Sequence, residues 1–207
     1  MLLREGLVLN HKKTYRLYRC AGLTLQTRSK KKKYEKRGMP ARPVLEANTR
    51  WSMDFVSDRT RTGRSLRVLT VIDEVTRECL ALEADSSITG RKVAAILNRI
   101  ALFRGYPKEI LTDNGPAFIS NAVSAWAYDH KVEHIFIDPG KPMQNGHIES
   151  FNGKLRIECL NQHWFRNLPE ARELVDTWRT EYNQLRPHSS LGNLTPVEFA
   201  ASLGCNS

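Results

Sequence analysis

Apolar residues recur with two different periods from Arg50 onward, and this alternation constrains the fold more than any other feature. Three strand-like runs come first, at Trp51–Val56, Leu66–Ile72 and Glu78–Glu83, with a hairpin turn near Asp73–Arg77. The later predicted segments are a helix at 89–103, a strand at 109–112, a helix at 119–130, a strand at 133–137 and helices at 145–160, 169–184 and from 195. This order predicts an α/β fold, with a mixed five-stranded sheet and helices on both faces.

Short polar residues mark the predicted beginnings of three helices. Asn10 precedes a basic helical run, and Thr89 precedes the helix that Gly105 ends. The last helix begins at Thr195, three residues before Glu198, which is the spacing of a capping box. Side-chain oxygens at such positions accept hydrogen bonds from the first helical turn, so we expect each of the three residues to cap its helix.

Positive charge is concentrated in the N-terminal quarter of the chain. The first 50 residues contain 14 Lys+Arg against 3 Asp+Glu, whereas the rest contains 18 against 19, which together give the net charge of +10. The centre of the charge includes Lys30, Lys31, Lys32 and Lys33. Such a run stays extended and binds polyanions through phosphate contacts, although a solvated linker has the same composition. An acidic metal site elsewhere in the chain would favour nucleic acid as the partner.

These contrasts divide the chain into three predicted parts. Residues 1–25 are expected to form a short basic helical arm, part of a helix-turn-helix unit, residues 26–49 a basic linker, and residues 50–204 a packed domain that ends in helices. No run of about 18 apolar residues is present, so no membrane span is predicted. The cysteines are scattered, which argues against a structural zinc site and a disulfide framework and favours a reducing, cytosolic compartment.

Three acidic residues lie in or beside the apolar runs. Asp54 is inside the first strand, Asp113 ends the fourth and Glu149 begins a helix; thirty-five residues, 114–148, separate the last two. Carboxylates in such settings are costly unless cations meet them. Two divalent metal ions would do so, and would also promote phosphoryl transfer. Under this hypothesis Asp54 bridges both ions, and Asp113 and Glu149 each hold one.

The acidic residues also have ordinary structural interpretations. Asp73 is an alternative first carboxylate, although it ends a strand and starts a turn, where aspartate is common. Asp113 begins an Asp-Asn-Gly turn sequence, and Glu149 has the position of a first-turn residue that favours the helix dipole. His130 and His134 are four apart, as helical metal ligands are, but a helix is predicted to end between them, so we do not expect them to bind metal together.

Several longer motifs occur together in this sequence. They are Trp51–Val56, Thr112–Pro116, Gln144–Gly153, Tyr182–Gly192 and Leu194–Pro196. As a set they closely resemble the catalytic core of orfB-type transposases from bacterial insertion sequences, which are relatives of retroviral integrases. The resemblance implies a ribonuclease-H-like fold and a DDE triad whose last two members are thirty-five residues apart.

By this resemblance, Asp54, Asp113 and Glu149 are the catalytic and metal-binding triad, and Mg²⁺ or Mn²⁺, as two ions, is the cofactor. The family has a basic residue seven positions after the glutamate, which here is Arg156. Residues seven apart lie on one face of a helix, so Arg156 is expected to hold a DNA phosphate beside the metals, with a plain surface charge as the alternative.

Further contacts with DNA are expected from residues close to the triad in sequence. Asn114 and Asn145 flank two of the carboxylates, and Lys154 lies near Arg156. Arg186, in the Tyr182–Gly192 motif, is expected mainly to fix the C-terminal helices, with phosphate contact as an alternative.

The implied function is metal-dependent DNA cleavage and strand transfer at the ends of an insertion sequence, in the bacterial cytoplasm. The implied partners are double-stranded DNA, further copies of the chain and an upstream-encoded DNA-binding subunit. The chain departs from the family at Ala117, where glutamate is common, and at His147, where an aromatic residue is common. Neither change removes a triad carboxylate, so the active site is expected to survive.

Two alternatives remain open from the sequence. The chain is expected to begin partway through the helical region that precedes the core in this family, which favours a truncated, non-catalytic DNA-binding or inhibitory subunit. The other alternative is a stand-alone nuclease of the same fold, which would hydrolyse DNA without joining it.

Overall fold

The computed structural model describes residues 10–23, 46–137 and 145–204. It divides into two units, Met1–Met39 and Pro40–Ser207, which are described separately below. Among the described residues, no helix is long and apolar enough to cross a membrane.

The described part of the first unit is one helix, α1 (His11–Cys20). Asn10 has an extended backbone, and its side chain accepts a hydrogen bond from the Lys12 N–H at 2.9 Å, so the predicted cap is confirmed. The lysines predicted to contact DNA lie outside the described residues; they are Lys30, Lys31, Lys32 and Lys33. The division into arm, linker and core therefore stays a prediction.

The second unit is built on one five-stranded sheet. Its strands are β1 (Arg50–Arg59), β2 (Ser65–Asp73), β3 (Cys79–Asp85), β4 (Glu109–Thr112) and β5 (Glu133–Phe136). The spatial order is β3-β2-β1-β4-β5. The first three strands pair antiparallel, whereas β4 pairs parallel with both β1 and β5. The predicted mixed sheet is confirmed, and the switch from antiparallel to parallel pairing falls at β1.

The described residues of this unit also form five helices. They are α2 (Gly90–Arg104), α3 (Asn121–Asp129), α4 (Gly146–Glu158), α5 (Leu168–Gln184) and α6 (Pro196–Ser202), with short 3-10 turns at Leu160–Gln162 and Ser189–Leu191. The capping box at Thr195 and Glu198 is confirmed. Thr89 occupies the N-cap position of α2, but its side chain makes no capping hydrogen bond. The α3 helix begins later than predicted because the Ser120 side chain caps it.

Two hydrophobic cores lie on opposite faces of the sheet, which confirms the prediction of helices on both. Trp51 and Met53 belong to the core that α2 and α3 cover. Val56 belongs to the core that α4 and α5 cover, together with Phe151 of α4. Burial of each such large side chain stabilises the fold by about 1.5–3 kcal/mol. Alternation along β1 places Asp54 on the face of Val56, and therefore beneath α4.

The first strand extends beyond its predicted end at Val56. It continues to Arg59 because β2 keeps pairing with it, as far as Arg59 opposite Ser65. The connecting segment, Thr60–Arg64, is called the hairpin tip below. Its backbone closes on itself through hydrogen bonds from the Thr60 N–H to the Arg64 carbonyl and from the Gly63 N–H to the Thr60 carbonyl. Gly63 has φ +79°, a conformation that favours glycine.

Candidate active site

Parallel pairing of β1 with β4 brings Asp54 and Asp113 to one place. The last paired residues are Ser52 and Leu111. Asp54 and Asp113 each lie two residues after this pair, so their side chains point to the same side of the sheet at the same level. The Asp113 charge contributes to raising the pKa of Asp54, which is the electrostatic sign of this proximity.

Asp54 is held from two sides while remaining half-buried. Its Oδ1 accepts a hydrogen bond from the Phe55 N–H at 2.7 Å, and its Oδ2 accepts one from the Asn152 side chain at 2.8 Å. Burial raises the pKa of Asp54 above its usual value, and Asp113 adds to this effect, while the two hydrogen bonds oppose it. The two hydrogen bonds therefore fix the position of the Asp54 carboxylate, but they do not remove the free-energy cost of its negative charge.

Asp113 follows β4 directly and combines two roles that the sequence left as alternatives. Its Oδ1 accepts a hydrogen bond from the Gly115 N–H at 2.9 Å, which is the geometry of a turn. The same turn fixes the carboxyl group beside Asp54. Gly115 fits closely here, because a Cβ at that position would lie 2.9 Å from the Asp113 Oδ1.

Glu149 lies in the first turn of α4 and is exposed. Burial and the charge of Asp54 both raise its pKa. The α4 face that carries Glu149 also carries Asn152 and Arg156, three and seven residues later. Asn152 reaches Asp54, and the Arg156 guanidinium donates to the Ser57 carbonyl at 3.2 Å. This face of the helix therefore runs along β1, with Glu149 close enough to Asp54 for their charges to interact.

Asn152 contacts the candidate catalytic residue Asp54, although the sequence predicted no role for it. Its distance of three residues from Glu149 was the available signal, since residues three apart share a helix face.

The three carboxylates form no ion pair with any basic residue that the structure describes. Hard oxygen donors that repel one another fit Mg²⁺ or Mn²⁺, which take such ligands and keep some of their waters. Within the same described ranges, no three acidic, histidine or cysteine side chains converge closely enough to form a ready-made metal site. The donor chemistry thus fits divalent ions, while the carboxylates stand farther apart than a closed coordination shell requires.

Asp73, the alternative first carboxylate, is fully used by the turn between β2 and β3. It is buried and accepts hydrogen bonds from the backbone N–H groups of Asn48, Val75 and Thr76 at 2.6–3.0 Å. These contacts support the structural interpretation of this residue.

The residues predicted to contact DNA near the triad have different surroundings. Asn114 is exposed, and its side chain donates to the Ile137 carbonyl at 3.5 Å. Asn145 is buried before α4, and its side-chain oxygen has no hydrogen-bond partner in the described part of the chain. Lys154 is half-buried, with its ammonium 5.9 Å from the ring centre of Tyr182, and is not brought to the Asp54 side of α4.

Arg186, His134 and His130 each make a contact within the fold. Arg186 forms an ion pair with Glu158 at the end of α4, which supports its expected role in fixing the C-terminal helices. His134 lies on β5, where its Nε2 shares a hydrogen bond of 2.9 Å with the Thr112 hydroxyl. His130 ends α3 and stacks on Tyr106. The two histidines therefore have separate partners.

Comparison with known families gives the same assignment along most of this unit. Residues 45–142 match the family described as Integrase core domain, and residues 130–196 match a second family of the same description. The 31.7 kDa protein of insertion element IS407 from Burkholderia multivorans is 48% identical over 96% of this chain and 72% of its own length.

Other relatives also come from insertion elements. The 39.2 kDa protein of IS476 from Xanthomonas euvesicatoria is 49% identical over 94% of this chain, and the chain spans 56% of that protein's length. Transposase InsD of insertion element IS2D from Escherichia coli is 25% identical over 96% of this chain and 68% of its own length.

Solved structures show the fold at lower sequence identity. A chain of the simian T-cell lymphotropic virus intasome superposes with a TM-score of 0.63, at 22% identity over 71% of this chain and 52% of its own. The HTLV-2 integrase catalytic core, solved with magnesium, gives a TM-score of 0.61 at 22% identity over 75% of this chain and 97% of its own. The predicted ribonuclease-H-like fold is confirmed, and the chain belongs to the insertion-sequence transposases of the integrase-core superfamily.

Proposed function

We propose that this chain catalyses metal-dependent cleavage of DNA and transfer of the freed strand to a second site. The observation that carries the proposal is the closeness of carboxylates that form no ion pair among the described residues. Burial and the charge of Asp113 raise the pKa of Asp54, and burial and the charge of Asp54 raise the pKa of Glu149. Carboxylates that raise one another's pKa values destabilise the fold and are typical of functional sites. The substrate is double-stranded DNA at the ends of the insertion sequence and at its target.

Asp54, Asp113 and Glu149 would hold the two proposed Mg²⁺ or Mn²⁺ ions through their carboxylate oxygens. Magnesium is present with the HTLV-2 integrase core, whose fold this chain shares. Bound ions of this kind activate an attacking oxygen and stabilise a leaving oxygen during phosphoryl transfer.

The remaining residues of the site position the carboxylates and the DNA. The Phe55 N–H and the Asn152 amide fix the two oxygens of Asp54, and the Gly115 N–H fixes Asp113. Arg156, exposed on the same face of α4 as Glu149, is proposed to bind a phosphate next to the reacting one. Asn114, next to Asp113, and Asn145, just before α4, are proposed to contact DNA beside the carboxylates.

Assembly with further copies of the chain is part of the proposal. The retroviral relatives of this fold include an intasome and a trimeric integrase core. Two DNA ends must meet for strand transfer, and a multimer provides one active site for each. An upstream-encoded DNA-binding subunit remains a prediction.

A branched DNA that mimics the strand-transfer product tests the proposal directly. Its resealing reverses the joining reaction and asks little of end recognition. We expect resealing with Mg²⁺ or Mn²⁺, and a loss of at least about a hundredfold on Glu149→Gln, equivalent to about 3 kcal/mol of barrier. Retained resealing in Glu149→Gln would overturn the proposal. Cleavage of the branched DNA without resealing would instead support a nuclease.

A further inference from the structure

Trp164 is exposed in a way that the other tryptophans are not. Its side chain is 84% exposed, whereas Trp51, Trp126 and Trp178 are 0%, 4% and 8% exposed. The chain contains four tryptophans in total. A large aromatic ring left in water gives up burial that would stabilise the fold, so such a position suggests a surface that meets a ligand.

The loop that carries Trp164 is fixed in place next to the hairpin tip. Phe165, the following residue, is 1% exposed and packs in the core with Val56 and Leu66 at the base of the hairpin. The Phe165 carbonyl accepts a hydrogen bond from the Arg61 N–H at 2.7 Å. Trp164 is therefore presented by a backbone that is anchored on one side to the core and on the other to the tip.

The hairpin tip and the adjoining end of β1 are strongly basic, and the described residues do not neutralise their charges. Arg59, Arg61 and Arg64 are exposed and form no ion pair with a carboxylate among the residues that the structure describes. Other surface arginines of the same unit are paired: Arg99 with Glu83, and Arg172 with Asp85, while Arg166 next to the Trp164 loop pairs with Glu170. Unpaired guanidinium groups on a segment that is hydrogen-bonded to the loop of an exposed indole favour a polyanion with planar rings.

The distance between the triad and the hairpin tip matches the length of a short DNA segment. β1 runs without interruption from Asp54 to Arg59, which at about 3.3 Å per residue is about 16 Å. Arg156 lies between them, on the Ser57 carbonyl. At about 3.4 Å of rise per nucleotide, this span corresponds to about five nucleotides. DNA whose reacting phosphate lies at the carboxylates therefore reaches the tip within a short flanking segment.

From these observations we infer that Trp164 and the arginines of the hairpin tip form a second DNA-contacting surface, on which an unpaired base about five nucleotides from the reacting phosphate stacks. The bases of a closed duplex offer no free ring face, so the ligand is a frayed or single-stranded segment beside the cut. The arginines hold its phosphates and the indole holds one base. The inference rests on the proposed function for the placement of the reacting phosphate.

Binding can be measured without chemistry by using the full chain with Glu149→Gln. The probe is a duplex with a single-stranded tail of ten nucleotides, compared with the same duplex made blunt. Because Trp164 alone among the four tryptophans is open to solvent, acrylamide quenching of tryptophan fluorescence reports mainly on this side chain. We expect the tailed DNA, and not the blunt DNA, to protect it from acrylamide.

Substitutions then separate stacking from charge. Trp164→Ala should weaken binding of the tailed DNA by about tenfold and leave the blunt duplex unchanged, whereas Trp164→Phe should restore most of the loss. The matched control is Tyr128→Ala, an equally exposed aromatic on α3, which should change neither. Arg61→Ala with Arg64→Ala should reduce the salt dependence of binding to both DNAs.

Unchanged affinity of Trp164→Ala for the tailed DNA, or acrylamide access to Trp164 that the tailed DNA leaves unchanged in the Glu149→Gln protein, would overturn the inference. This result is independent of resealing, which tests the triad. A protein that reseals DNA but fails the fluorescence test keeps its proposed function and loses only this surface.

Discussion

Two groups of carboxylates lie along β1, and among the described residues only one group forms ion pairs. At the start of the strand, Arg50 binds Glu109 through its Nε at 2.6 Å and Glu74 at 3.4 Å, while the Ser52 hydroxyl donates to Glu74. We call these four residues the Arg50 cluster. A few residues farther along, the triad is stabilised by neutral donors, and no ion pair reaches it among the described residues.

The difference shows which acidic group serves the fold. The Arg50 cluster is largely buried, and the Arg50 guanidinium contacts both carboxylates, so each has a cationic partner inside the protein. Asp54 lies farther along the same strand, and the triad has no such cation among the described residues: burial and Asp113 raise the pKa of Asp54, and burial and Asp54 raise the pKa of Glu149. A site that costs stability in this way is retained for a ligand of opposite charge.

Removing the cation from the Arg50 cluster should have the largest effect on stability. Arg50→Ala leaves Glu74 and Glu109 buried without their partner, and we expect a loss of about 3–5 kcal/mol in the free energy of unfolding. Urea denaturation followed by circular dichroism measures it. Arg99→Ala is the matched control, since its pair with Glu83 is exposed and should cost no more than about 1 kcal/mol. Equal losses in the two variants would remove the distinction between a balanced and an exposed pair.

Disturbing the turn at Asp113 should leave the fold intact and weaken the triad. In Gly115→Ala the new methyl group pushes the Asp113 carboxyl group from its place, because the two would otherwise lie 2.9 Å apart. Misplacement by about 1 Å costs about a hundredfold in rate, so resealing should fall by that factor with little change in melting temperature.

Gly153→Ala provides the comparison for this substitution. Gly153 lies on α4 with open space around its Cβ position, so alanine there should keep the rate and slightly stabilise the helix. If both alanines slowed resealing equally, the effect would not be due to Asp113.

Substitutions of Asn152 distinguish positioning of the Asp54 carboxylate from neutralisation of its charge. Asn152→Ala removes the 2.8 Å hydrogen bond to Asp54, and resealing should fall about tenfold, with a higher Mg²⁺ concentration needed for half-maximal rate. Asn152→Asp adds a fourth negative charge and should be slower still at low Mg²⁺. A purely structural role would slow both variants alike and leave the Mg²⁺ requirement unchanged. The control is Asn161→Ala, at an exposed position of the 3-10 turn Leu160–Gln162.

Sequence periodicity was enough to predict the sheet and its helices, because both faces of β1 follow a simple alternation. Asp54 and Asp113 were also predictable as neighbours once their strands paired. Tertiary contacts decided the rest. The extension of β1 to Arg59 depends on pairing with β2, and Lys154 turned to Tyr182 instead of the triad because the C-terminal helices pack there.

Charge balance was the property least accessible from sequence. Arg50 and Glu109 are 59 positions apart, and no local pattern joins them. For the same reason, sequence could not tell that Trp164 is exposed while three other tryptophans are buried.

The smallest expected effect concerns the cost of the triad itself. The fold raises the pKa of Asp54 above 3.8, so it favours the protonated form more than the unfolded chain does. This stability is fully present below pH 3.8 and is lost as pH rises through the raised pKa. Without metal at neutral pH, Asp54→Asn should therefore melt above the unsubstituted protein, by about 2–4 °C for each kcal/mol of repulsion removed.

Acidification and metal should both remove this difference, for different reasons. Below the usual pKa of aspartate, Asp54 is neutral in folded and unfolded chains alike, so the two proteins should approach one melting temperature. Mg²⁺ at neutral pH should raise the melting temperature of the unsubstituted protein, because it binds only the folded triad, and should have much less effect on Asp54→Asn. Thermal unfolding with and without Mg²⁺ measures both effects. If Asp54→Asn melted below the unsubstituted protein in metal-free solution at neutral pH, the triad would contribute to stability as the Arg50 cluster does, and the contrast between the two groups would fail.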